Sequence, residues 1–198
     1  MCGIAGYFNP DQNYAENPKQ NFHTLSRMIN TMNHRGPDTY GHTIINSCCL
    51  AHTRLSIIDL ENGRQPMSYT KDGNTYYIVY NGEIYNYKEV KKTLLRKNYT
   101  FETNSDTEVI IAAFCHYGPG FVKELNGIFA IAIYDSMRNT LYLYRDRFGV
   151  KPLYYTKTGD TLVFASRIDT LFEYPRVRPC IDMNSFNEIF SLGPAKTY

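Results

Sequence analysis

The chain has 198 residues, 43% hydrophobic and 15% aromatic, with 18 Tyr and no Trp. That length suits one domain with a substantial core, and a formal charge of +2 supplies no field to attract nucleic acid or an anionic membrane surface. The N-terminus has no basic stretch ahead of an apolar one and no run reaches membrane-span length, so neither a leader nor a span is expected.

The chain opens MCGIAGYF, which predicts a short buried strand over 2–8. Residues 9–20 are rich in Asn, Pro, Asp and Gln and read as a loop. From Phe22 to Met32 the apolar residues fall at Phe22, Leu25, Met28, Ile29 and Met32, a helical spacing. HRGPD, His34 to Asp38, breaks that helix at Gly36-Pro37, and strands follow at 41–46 and 48–53. DLENGRQP (59–66) reads as a polar turn. YYIVYNG (76–82) reads as a strand closing in a turn at Asn81-Gly82.

Residues 86–97 form an amphipathic pattern with Val90, Leu94 and Leu95 inward, and Ser105-x-x-Glu108 opens an apolar helix reaching His116. Gly118, Pro119 and Gly120 punctuate it. Four strand-like runs follow, LNGIFAIAIYD, LYLYRDRFG, PLYYT and TLVFAS, closely connected and therefore antiparallel in expectation. A last helix is expected over 182–191, and LGPAKTY follows as a Gly-Pro tail. The helices are too few for a doubly wound sheet; two stacked sheets flanked by helices use these parts well.

Five cysteines, an odd number without a C-x-x-C pair, give neither a disulfide framework nor a metal pattern. Cys48, Cys49, Cys115 and Cys180 read as ordinary small residues of a reducing, cytoplasmic setting. The five His show no H-x-x-x-H pair, so no metal is expected.

Cys2 has two readings. With Met1 attached it is a small residue at a strand end, and MCG alone favours that plain reading. With Met1 removed, the same residue carries a thiol of pKa about 8.5 and a free amine near 8, a nucleophile and a base on one residue. Acyl transfer also needs oxyanion donors, which the Asn81 amide and Gly82 N–H could supply; a plain Asn-Gly turn is the commoner use of that pair. Arg54 could fork onto a substrate carboxylate, and Asp106, at a helix start, could take an ammonium. A surface Arg and a capping Asp are the ordinary alternatives.

In order, MCGIAG, HRGPD, HTRLSIIDL, YNGEIYN, NSDTEVI, LNGIFAIAIYD and RDRFGVKPLYY resemble the glutaminase domain of asparagine synthetases. This is a class II glutamine amidotransferase of the N-terminal-nucleophile hydrolase type. The resemblance covers nearly the whole chain. It implies an α+β fold, a four-layer α/β/β/α sandwich with two mainly antiparallel sheets. It implies that Cys2 attacks the side-chain amide of L-glutamine and that Asn81 and Gly82 form the oxyanion hole. Arg54 then holds the α-carboxylate and Asp106 the α-amine. Glu83 closes the pocket, and the backbone of Leu55, Ser56, Ile57 and Ile58 lines it. Leu55, where other branches carry Trp, points to the asparagine synthetase branch. Arg167 in FASRIDTL departs from the family's acidic residue, outside the pocket.

The resemblance further implies an amidotransferase domain over 2–190 and the start of a linker at 191–198. The domain itself needs no cofactor. ATP and Mg belong to a following synthetase domain that converts aspartate to asparagine, whose S-G-G-x-D-S loop is not in this sequence. The expected partners are L-glutamine and that synthetase domain, with no nucleic acid and no membrane; a homodimer is compatible with the sequence. Two alternatives stay open: ammonia delivery to a different acceptor, or a catalytically silent glutamine-binding domain. In RDRFGVKPLYY, Asp146, Arg147 and Lys151 could look like a charged catalytic cluster, but Arg145, Asp146 and Arg147 read as a turn network, and Arg35 reads as structural.

Overall fold

The computed structural model describes residues 1–55, 63–184 and 186–187. Nine strands and four helices are assigned among them. The strands are β1 (Gly3–Phe8), β2 (Thr39–Ile45), β3 (Cys48–Arg54), β4 (Met67–Lys71), β5 (Asn74–Ile84), β6 (Gly127–Asp135), β7 (Thr140–Arg145), β8 (Tyr154–Thr158) and β9 (Thr161–Ala165). The helices are α1 (Pro18–Met32), α2 (Tyr87–Leu95), α3 (Asp106–Tyr117) and α4 (Ile168–Leu171).

The strands form a five-stranded sheet ordered β2-β3-β1-β9-β8 and a four-stranded sheet ordered β4-β5-β6-β7. Every neighbouring pair is antiparallel. The four final strands do not share one sheet. The link through 146–153 carries the chain from β7 in the smaller sheet to β8 in the larger.

Side-chain alternation explains the layering. In β6, Phe129, Ile131 and Ile133 face α2 and α3, while Ala130, Ala132 and Tyr134 face the other sheet. Both faces are covered, so IFAIAIY reads as continuous apolar sequence. In β3, Cys49 and Ala51 face α1, and Cys48 and Leu50 face the sheet interface. There the small Ala130, Ala132 and Cys48 sit among Phe164, Tyr134 and Ile4, letting two twisted sheets interdigitate. The outcome is the expected four layers, helix, sheet, sheet, helix.

Several local expectations change. The loop at 9–20 holds a 3-10 turn at Tyr14–Glu16, and α1 starts at Pro18, whose missing N–H suits the first helical position. Phe22 is at the surface over the His42 ring rather than in the core, and Leu95 is exposed while Val90 and Leu94 pack inward. Ser105 caps α3 through the Thr107 N–H, but the capping box does not close. Glu108 turns back to the Glu102 and Thr103 N–H groups, each at 2.8 Å. Residues 118–124 form a 3-10 turn, so β6 begins at Gly127 instead of Leu125. Part of the polar turn (59–62), half of the last expected helix (185 and 188–191) and the LGPAKTY tail lie outside the described residues.

Candidate active site

The cleft opens at one end of the inter-sheet layer because three strand ends converge there. Ile4 faces the opposite sheet, so Cys2, two residues earlier, follows the same face. Cys48 and Leu50 do likewise in β3, which puts His52 and Arg54 on that face. Val79 does so in β5, which puts Asn81 there. Cys2, His52, Arg54 and Asn81 line one cavity of about 170 Å³, joined by Glu83 and by Asp106 from the start of α3.

Backbone contacts hold Cys2. Its Sγ accepts from the Leu55 N–H at 3.4 Å, and the Arg35 Nε–H donates to its carbonyl at 3.1 Å. HRGPD serves the same end. A Cβ on Gly36 would lie 2.4 Å from the Thr53 carbonyl carbon, so only glycine lets this segment lie against β3. Asp38 N–H then donates to the Arg54 carbonyl at 3.1 Å. Met1, the first residue, lines the cavity beside Lys151, whose Nζ is 3.4 Å from the Met1 sulfur.

Asn81 and Gly82 do not form the turn that the sequence suggests. β5 runs through them to Ile84, with Gly82 opposite Phe129 in β6. Phe129 gives its N–H to Asp146 Oδ2 at 3.2 Å and its carbonyl to the Asp146 N–H at 2.8 Å, leaving nothing for Gly82. In an antiparallel ladder such a pair is unbonded on both strands, so the Gly82 N–H points away from β6. Tyr80 does the same two residues earlier, donating its N–H to Gln65 Oε1 at 2.6 Å. β4 flanks that side only as far as the Met67–Ile78 pair. Beyond it the β5 edge is open, and the cavity lies there. A side chain on Gly82 would meet the Ile128 carbonyl oxygen at 2.2 Å, which explains the glycine.

Among the described residues, the buried Asn81 amide Nδ2 has no hydrogen-bond partner, and neither has His52 Nε2. A buried polar atom left unpaired costs about 1–3 kcal/mol, and one in a cleft marks a place where a ligand atom can be received. Burial pushes the His52 ring down to about 3; the Tyr80 carbonyl opposes this and the Arg54 guanidinium adds to it. The imidazole is therefore neutral at ordinary pH. Asp106 is raised above the usual carboxylate range by burial, against the Tyr80 hydroxyl at 2.8 Å and backbone N–H groups that favour its charge.

Each candidate residue that falls within the description, Cys2, Arg54, Leu55, Asn81, Gly82, Glu83 and Asp106, lines this one cavity. Ser56, Ile57 and Ile58 lie outside the described residues. Sequence reasoning missed His52, Tyr80 and Gln65 and set Lys151 aside with the turn network; all four also line it. The RDRFGVKPLYY network is real but differently composed. Asp146 accepts from the N–H groups of Phe129, Phe148, Val150 and Lys151, and Arg145 donates to the Gly149 and Lys151 carbonyls. Arg147 takes no part in those bonds, whereas Lys151 reaches the cavity. Arg167 forks onto Asp169 at 2.8 and 2.6 Å and lies away from the cavity.

Comparison with known proteins agrees with this geometry. A family model described as a glutamine amidotransferase domain matches residues 1–197. Glutamine-hydrolysing asparagine synthetase 3 of Bacillus subtilis strain 168 is 40% identical over 197 residues, spanning 100% of this chain and 31% of that protein. Asparagine synthetase B of Escherichia coli K12 is 40% identical over 165 residues, 82% of this chain and 28% of that one. Amidase chyE of Penicillium rubens is 36% identical over 181 residues, 88% of this chain and 26% of that one. The chain thus spans about a third or less of these curated relatives. Among solved structures, the glutamine phosphoribosylpyrophosphate amidotransferase of B. subtilis complexed with ADP and GMP superposes with a TM-score of 0.66 at 20% identity. That match covers 85% of this chain and 42% of that one, and it is a likeness of fold.

Proposed function

The chain belongs to the glutamine amidotransferase domain family, and on that premise we propose that it hydrolyses the side-chain amide of L-glutamine to glutamate and ammonia. The observation that carries this reading is the shared cavity. The Cys2 thiol, the unpaired Asn81 amide, the outward Gly82 N–H, a buried Arg54 and a buried Asp106 meet in one space. Removal of Met1 frees the Cys2 amine, which takes the thiol proton through a water. Sulfur bonds to the amide carbon, and the carbonyl electrons move onto oxygen, where Asn81 and Gly82 donate. The proton passes to the amide nitrogen, the C–N bond breaks and ammonia leaves a γ-glutamyl thioester. Water adds to the thioester, releasing glutamate and restoring the thiol. Arg54 holds the α-carboxylate, Asp106 the α-ammonium, and Glu83 with residues 55–58 closes the pocket.

In this reading residues 2–190 are the amidotransferase domain and 191–198 begin a passage to a synthetase domain. That domain, with ATP and Mg, consumes the ammonia in converting aspartate to asparagine, in a cytoplasmic setting. The amidotransferase step needs no metal or cofactor. The test is glutamate release by protein whose intact mass shows Met1 removed, beside Cys2→Ala. Release by the processed protein and none by the variant is expected; equal rates overturn the proposal in favour of a silent glutamine-binding domain.

A further inference from the structure

Gln65 precedes β4 and reads in sequence as part of a polar turn, yet its side chain joins two walls of the cavity. Its Oε1 accepts from the Tyr80 N–H at 2.6 Å, supplying the partner that β4 stops short of providing. Its Nε2 donates to Thr107 Oγ1 at 3.3 Å. Tyr80 directly precedes Asn81, and Thr107 directly follows Asp106. One carboxamide therefore ties the peptide bearing the oxyanion donors to the helix end bearing the amine-binding carboxylate. A carboxamide accepts from a backbone N–H with one atom while donating to a hydroxyl with the other, which an ionised carboxylate or an ammonium cannot do.

We infer that Gln65 is a positioning residue that fixes the separation between the oxyanion donors and Asp106, and so sets the side-chain length of the amide substrate. The inference rests on the proposed glutaminase reading. A substrate whose α-ammonium sits on Asp106 presents its amide carbon to Cys2 only when its methylene count matches that separation. Glutamine matches and asparagine, one methylene shorter, does not. Loosening the tie costs the matched substrate most, because a displacement of about 1 Å at the reacting centre can cost about 100-fold. The mismatched substrate already lacks the alignment that is lost.

The test compares kcat/KM for L-glutamine and L-asparagine in the intact, Met1-processed protein, wild type against Gln65→Met, which keeps the volume and removes both bonds. The glutamine value is expected to fall about 10- to 100-fold, mostly in kcat, and the asparagine value by less than about 3-fold. The preference for glutamine then narrows by about an order of magnitude. An unchanged preference, with or without a loss of rate, overturns the inference. If Gln65→Met does not fold, Thr107→Val severs the same tie at its far end and must narrow the preference as well. A wild-type protein that releases no glutamate refutes the glutaminase reading instead, so the two failures are distinct.

Discussion

The Tyr80 hydroxyl donates to Asp106 Oδ2 at 2.8 Å, joining the strand residue before Asn81 to the first residue of α3. This bond is the strongest side-chain support for charge on a carboxylate that burial drives toward the neutral form. Tyr80→Phe is therefore expected to raise Asp106 further and weaken glutamine binding. On the acid side, KM should rise as pH falls through the Asp106 value, at a pH above the ordinary range near 3.9, because only the charged form holds an ammonium. In Tyr80→Phe that rise should begin at higher pH, and in Asp106→Asn KM should be high throughout. Steady-state KM for glutamine between pH 4 and pH 8 checks all three.

Asn81→Ala removes a donor that has no partner to lose among the described residues. The fold should be indifferent, while kcat falls about 10²–10³-fold with KM nearly unchanged. Thermal melts beside initial rates separate the two effects. A KM rise equal to the kcat loss would place the amide in ground-state binding.

His52 governs an acid-side stability change. Its folded pKa is depressed, so the unfolded chain takes up the proton first, near 6.5. The stability from keeping this ring neutral is complete above that pH and is lost as pH falls below it, at a limiting slope of about 1.4 kcal/mol per pH unit. His52→Asn should flatten urea-unfolding free energies between pH 6.5 and pH 4 relative to wild type. Asp106 acts in the opposite sense, gaining stability as pH falls through its raised value, so the difference between the two proteins is the quantity to read.

Asp146 builds the link between the sheets. Burial pushes its pKa up, but four backbone N–H donors outweigh that and hold it below the usual range. Its stabilising effect is present above about pH 3.9 and is lost as pH falls through the folded value. Asp146→Ala should cost about 3 kcal/mol at neutral pH by stranding several N–H groups, readable by chemical denaturation. The variant should also lose glutaminase activity, since the same loop delivers Lys151 to the cavity.

Strongly periodic segments were legible in the sequence. Met28, Ile29 and Met32 identified the buried face of α1, and the run IFAIAIYD identified a strand. Arg54, Asn81, Gly82 and Asp106 were legible only as a set, since each alone has an ordinary explanation. The misreadings have physical causes. Asn81-Gly82 has turn chemistry, but pairing with Phe129 and Ala130 keeps the chain extended through it. Leu95 satisfied the helical period but fell on the solvent side. His52 and Gln65 carry no motif. Their importance comes from where β3 points and where β4 stops, which are properties of pairing rather than of local composition.

β1 lies at the centre of its sheet, bonded to β3 on one edge and to β9 on the other, with Ala5 opposite both Ala51 and Ala165. A chain terminus normally frays; here residues 5–8 are held on both edges, one of them by a strand more than 150 residues later in the chain. While a ribosome is still making the chain, the β9 edge has no occupant and the first residues remain accessible to an aminopeptidase. On the proposed reading, removal of Met1 therefore falls before the last strand arrives and pairs with β1 from Ala5 to Phe8.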